Sequence, residues 1–222
     1  MKAEPVAIPA GDGKVSGLLL APAKARAIYV LAHGAGAGME HPFMENAAHG
    51  LAERGIATLR YQFPYMERGT RRVDSPGVAQ GTVRAAVGEA ARRLPGVALY
   101  AGGKSFGGRM TSQAQAEAPL DGVRGLAFLG FPLHAAGKPA DARGAHLAGV
   151  RVPLLFLQGS RDDLASLELL RPLVEKLGAR ATLAVFEGAD HSFHVPAKSG
   201  RTDSGVMDEM LDTLAAWIDA AR

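Results

Sequence analysis

Short apolar runs bounded by glycine recur along the chain, and stretches of helical periodicity lie between them. That alternation constrains the fold more than any other feature. The runs are "GLLLA" (17–21), "RAIYVLAH" (26–33), "GIATLRY" (55–61), "GVALYAG" (96–102), "GVRGLAFLG" (122–130), "VPLLFLQG" (152–159) and "ATLAVFEG" (181–188). They are continuously apolar, which suits strands of a sheet covered on both faces. The helical patterns are "FMENAAHGLAERG" (43–55), "VAQGTVRAAVGEAARRL" (78–94), "GGRMTSQAQAEA" (107–118), "SLELLRPLVEKLG" (166–178) and "SGVMDEMLDTLAAWIDAAR" (204–222). Each of the first four stops at a glycine or before a proline; Asp203 or Ser204 is the expected cap of the last.

Strand alternating with helix predicts an α/β fold, a mostly parallel sheet with right-handed crossovers and helices on both faces. The early strands, near 6–8 and 17–21, have no helix between them and read as an antiparallel edge. Residues 131–150, "FPLHAAGKPADARGAHLAGV", stand where a crossover helix belongs and read as a small cap insertion in a single domain spanning 1–222. In such sheets the working residues lie beyond the carboxyl ends of the strands.

Of the 222 residues 47% are hydrophobic and 21% charged, enough to bury a core and too apolar for disorder. The net charge is +3 with basic residues scattered; "ERGTRR" (67–72) is the one cluster and reads as a solvated loop. A nucleic-acid partner would call for a concentrated basic face interleaved with aromatics. The chain has no cysteine, which removes disulfides, thiolate catalysis and cysteine metal sites. No secretory signal opens the sequence, and no apolar run approaches the ~20 residues of a membrane span. The expectation is a soluble cytoplasmic protein with no membrane partner.

Two glycine-rich turns invite nucleotide readings. "GKS" (103–105) ends like a phosphate-binding loop, but the first glycine of that motif belongs at position 98, where Ala98 lies inside an apolar run. "HGAGAGM" (33–39) follows a strand, yet the third glycine of a dinucleotide fingerprint falls on Met39 or His41. Arg60, at the end of the next strand, keeps a 2′-phosphate cofactor as a minor alternative.

The overlapping "GKSFG" (103–107) fits G-x-S-x-G between a strand and a helix, the turn that presents a nucleophilic serine. A serine hydroxyl needs a base to take its proton, and the base needs an acid to orient it. The order Ser, Asp, His, each after a later strand, is met by Ser105, by Asp162 in "QGSRDD" and by His191 in "EGADHSFH". Asp163 is the other candidate acid, or a cap of the following helix. A tetrahedral oxyanion calls for two backbone N–H donors: Phe106, after the nucleophile, and Ala35 in "HGAGAG", with Gly36 next in line. His33 reads as a brace for that loop. His41, His49, His134 and His146 read as surface or structural residues. Asp190, His191 and His194 lack the spacing of a metal site. Lys104, Arg60 and Arg109 are candidates to attract an anionic acyl group, or are solvated or salt-bridged charges.

"HGAGAGM", "GGKSFGGRM", "QGSRDD" and "GADHSF", together with "FLGFPLHAAGKP" and "GIATLRYQFPYME", resemble the α/β-hydrolase superfamily over nearly the whole chain. The resemblance is strongest to small dienelactone-hydrolase-like members. It implies the α/β-hydrolase fold with a minimal cap, Ser105, Asp162 and His191 as nucleophile, acid and base, a small-molecule acyl substrate, and no cofactor. Dienelactone hydrolases proper use a cysteine nucleophile, so their lactone specificity does not carry over. Some eukaryotic relatives are subunits of assemblies, which keeps a non-catalytic interaction module as the second reading.

Overall fold

The computed structural model describes residues 1–221. Eight strands form one sheet in the order β1-β2-β4-β3-β5-β6-β7-β8. They are β1 (Glu4–Ala10), β2 (Gly13–Leu20), β3 (Ala27–Ala32), β4 (Ile56–Tyr61), β5 (Ala98–Lys104), β6 (Val123–Leu129), β7 (Leu154–Gly159) and β8 (Ala181–Phe186). β1 pairs antiparallel with β2 and β2 antiparallel with β4; every other pairing is parallel. The expected antiparallel edge is therefore present. β1 alternates buried Val6 and Ile8 with exposed neighbours, as an edge with one wet face should, whereas β3, β4 and β7 are buried throughout.

The helices are α1 (Pro42–Glu53), α2 (Pro64–Glu67), α3 (Pro76–Arg93), α4 (Phe106–Glu117), α5 (Leu167–Leu177) and α6 (Asp203–Ala220). One face of the sheet packs Ala79, Val83 and Ala86 of α3, Met110 and Ala114 of α4, and Leu170 and Val174 of α5. The other packs Met44, Ala47 and Leu51 of α1 against Met210, Leu211, Leu214 and Ile218 of α6. These stripes recur at three- and four-residue intervals, so the helical periodicity is what covers the two faces. No helix among the described residues is long and apolar enough to cross a membrane.

Two local expectations are corrected. Thr202, not Asp203 or Ser204, caps α6: its hydroxyl accepts from Gly205 N–H at 3.1 Å, while the Asp203 carboxylate is taken by His194 and by Val195 N–H. Asp163 is exposed and caps nothing; Ser166 is the N-cap residue of α5 and makes no side-chain cap bond. The β6–β7 connection holds no α-helix. It runs as a loop that tightens into a 3₁₀ segment, Ala142–Gly149, laid against α4 through buried Leu147. Pro132, Gly137, Pro139 and Gly144 break any longer helical register there. The short α2, started by Pro64, was not foreseen.

Candidate active site

β5 runs to Lys104, so Ser105 sits directly at the junction of strand and helix. Its backbone is strained, with φ 49° and ψ −115°, a region that non-glycine residues seldom occupy. Only glycine fits on either side. A Cβ at Gly103 would lie 2.2 Å from the Ala32 carbonyl oxygen, and one at Gly107 would lie 2.6 Å from the carbonyl oxygens of both Ala32 and His33. The requirement for small neighbours in G-x-S-x-G is thus a requirement of β3, which passes against the turn.

Ser105, His191 and Asp162 come from the ends of three different strands and meet in one hydrogen-bonded chain. Ser105 Oγ lies 2.8 Å from His191 Nε2, and His191 Nδ1 lies 2.7 Å from Asp162 Oδ2. Asp162 is buried, with Oδ1 accepting from Leu164 N–H at 2.8 Å. Its Oδ2 also accepts from the Gln158 amide, which in turn accepts from Phe131 N–H at 2.9 Å. Gln158, fully buried on β7, went unnoticed in the sequence; a lone polar residue in the run "LLFLQG" was the available signal.

His191 rides on a tight turn organised by Asp190, whose carboxylate accepts from Ser192 and His194 N–H at 2.7 and 3.0 Å. Phe193, with φ 63°, anchors the turn by stacking on Phe43. The Lys104 ammonium reaches across and donates to the His191 carbonyl, with the Phe43 and Phe193 rings 5.7 and 5.5 Å away. Burial pushes its pKa down to about 8, against the pull of Asp162 and Asp190. Lys104 is therefore spent on holding the histidine turn. His194 pairs with Asp203 at 2.9 Å, so Asp190, His191 and His194 go to separate partners.

The Gly34–Met39 loop is held from beneath. Buried His33 bonds the Gly34 carbonyl through Nδ1 at 2.7 Å and accepts from Phe63 N–H through Nε2 at 3.1 Å. Burial lowers its pKa to about 4, which keeps the ring neutral in the tautomer both bonds need. Gly36 N–H is taken by Tyr65 Oη at 2.8 Å, and Met39 N–H by Gln62 at 2.9 Å. Ala37 N–H is taken by the Gly34 carbonyl at 3.2 Å, so Ala35 N–H is among the donors of this turn left without an acceptor, with Gly34 and Gly38, in a loop where Gly34 lies against Ser105. Phe106 opens α4, so its N–H has no acceptor within the helix. Arg60, by contrast, is buried and donates to the Met39 carbonyl at 3.0 Å. That bond ties it to the Met39 end of the loop.

A cavity of about 120 Å³ lined by His41, Phe43, Met44, Lys104 and Ser192 adjoins the histidine turn. A larger hollow of about 470 Å³ between α1 and α6 shares Phe43 and Ser192 but contains none of Ser105, Asp162 and His191. His41 contributes to the smaller cavity and caps α1; His134 is buried and accepts from Ser166 N–H at 2.9 Å.

Sheet order, helix placement and the serine turn are those of the α/β hydrolases, and the sequence profile of the alpha/beta hydrolase domain matches residues 25–219. The chain belongs to that family. Among solved structures it is similar to a dienelactone hydrolase from Anabaena variabilis, with a TM-score of 0.81 at 22% identity over 99% of this chain and 98% of the other. An α/β serine hydrolase without a lid from Xanthomonas campestris aligns with a TM-score of 0.75 at 19% identity over 98% and 95% of the two chains. Two Mycobacterium tuberculosis proteins, from strains CDC 1551 and H37Rv and both named "Putative phosphoribosyl transferase", are 29% identical over 96% of this chain and 47% of their own length. The chain spans about half the length of these curated relatives.

Proposed function

We propose that the protein is a serine hydrolase cleaving an ester, thioester or related acyl bond through an acyl-enzyme. The observation that carries this reading is the unbroken chain from Ser105 Oγ through His191 to buried Asp162, at 2.8 and 2.7 Å. Ser105 Oγ attacks the substrate carbonyl carbon as its proton passes to His191 Nε2. The carbonyl electrons move to oxygen, and Ala35 and Phe106 N–H stabilise that charge. Collapse breaks the bond to the leaving group, which takes the proton from His191. Water then attacks the acyl-enzyme, gives its proton to His191, and the second collapse releases the acid and restores Ser105. Asp162 holds Nδ1–H and stabilises the imidazolium without itself being protonated. A cytoplasmic setting, read from the cysteine-free chain, is part of the same proposal.

A fluorophosphonate probe tests this directly. The wild-type protein is expected to be labelled stoichiometrically and Ser105→Ala not at all. Equal labelling of the two would remove Ser105 as the nucleophile.

A further inference from the structure

Gln158 carries a fully buried amide on β7, one residue before the strand ends. Its two ends have different partners: Oε1 accepts from Phe131 N–H at 2.9 Å, and Nε2 donates to Asp162 Oδ2. The orientation is forced, because a backbone N–H only donates and a carboxylate only accepts. Turning the amide over would set donor against donor and acceptor against acceptor in a buried site.

Both ends lead to His191. Asp162 Oδ2, which takes the amide N–H, also takes His191 Nδ1 at 2.7 Å, while Oδ1 accepts from Leu164 N–H at 2.8 Å. Without the amide, the carboxylate would be held by one main-chain bond and by the imidazole it has to orient. The other end holds the turn after β6. Phe131 follows Gly130, which has φ 73° and whose N–H bonds the Leu157 carbonyl at 2.8 Å. Gly130 is a wall beside the ring: a Cβ there would lie 3.4 Å from both His191 Nδ1 and Cε1. One side chain therefore fixes the acid at Nδ1 and the backbone against the same edge of the imidazole.

We propose that Gln158 is a positioning residue of the reaction, locking the Asp162 carboxylate and the Gly130 turn together so that His191 Nε2 stays directed at Ser105 Oγ, 2.8 Å away. This rests on the hydrolase reading above and adds to it a residue that acts only through others. A hydrogen bond to a carboxylate is charge-assisted, and the low dielectric of a buried site strengthens it. The gain is geometric: the base is already in place when the serine proton has to move.

Two substitutions separate the ends of the amide. Gln158→Glu keeps an oxygen for Phe131 N–H and loses the donor to Asp162; Gln158→Met loses both partners at nearly the same length. Each is expected to lower kcat on p-nitrophenyl acetate about tenfold, with KM within about twofold of wild type. A second readout needs no turnover: the His191 Nδ1–H proton resonance, followed by NMR in the Ser105→Ala background. It is expected to shift or broaden away when either substitution is added. A merely structural role would lower the melting temperature and leave kcat and that resonance as they are. Wild-type kcat with an unmoved resonance in Gln158→Glu overturns the proposal, and the same pair of results in folded Gln158→Met overturns it independently. A wild type that hydrolyses no ester and takes no fluorophosphonate, with a resonance that still responds to both substitutions, overturns the hydrolase reading alone and leaves Gln158 as the brace of His191.

Discussion

A single lysine shows how little a residue's type says about its task. Lys104 sits in a motif position where sequence allows a phosphate ligand, an acyl-group anchor or a solvated charge. The structure gives its ammonium to the His191 carbonyl, between two phenyl rings. Lys104→Met keeps the stem between the rings and removes the tie. We expect kcat to fall about tenfold with KM nearly unchanged, because a small misplacement of a proton-transfer group is costly. The melting temperature should hold, since a cation whose pKa burial drives down to about 8 costs stability as well as contributing a bond. Steady-state kinetics beside thermal melts checks both; a large drop in melting temperature with intact kcat would make the role merely structural.

At the scale of elements, the strand and helix pattern was legible because it rests on local periodicity and on glycine and proline punctuation. The caps were less so. Thr202, Asp203 and Ser204 are all good cap types, and what selects Thr202 is a long-range competition: His194 and Val195 N–H draw the Asp203 carboxylate away. Thr202→Ala is therefore expected to cost about 1 kcal/mol in urea unfolding, and Ser204→Ala much less. Ser105, Asp162 and His191 could be singled out because each follows a strand, and the parallel sheet brings strand ends to one edge. Gln158, Tyr65 and Arg143 could not. Their partners lie 27, 29 and 9 residues away in sequence, across contacts that no local pattern encodes. The β6–β7 connection belongs with them: residues 131–150 read as a small cap insertion, and only the structure shows the 3₁₀ segment Ala142–Gly149 with Leu147 buried.

For the molecule as a whole, the buried histidines tie stability to pH. His33 and His146 are both held near pKa 4, mainly by burial, with the Arg109 charge adding to the effect at His146. An unfolded histidine titrates near 6.5. Their contribution is complete above that value and is lost as the pH falls from about 6.5 towards 4, because the unfolded chain then binds more protons. At about 1.4 kcal/mol per pKa unit, His33 alone accounts for a loss on the order of 3 kcal/mol over that range. Denaturant unfolding at pH 7.0, 5.5 and 4.5 should show the midpoint dropping, and a pH-independent midpoint would contradict the assignment.

The order of apolar runs, glycine turns and chemistry-bearing residues was enough by itself to specify an α/β sheet, its antiparallel edge and the strand ends that carry Ser105, Asp162 and His191. These are properties of short windows and of their sequence order, and a parallel sheet converts that order into proximity. Only the tertiary structure decided which N–H groups of the glycine loop stay free, where the Lys104 ammonium goes, and that Gln158 braces Asp162 from β7. Those outcomes depend on burial and on partners brought together from distant segments, where the cost of leaving a polar group unpaired selects one arrangement among many that the sequence alone allows.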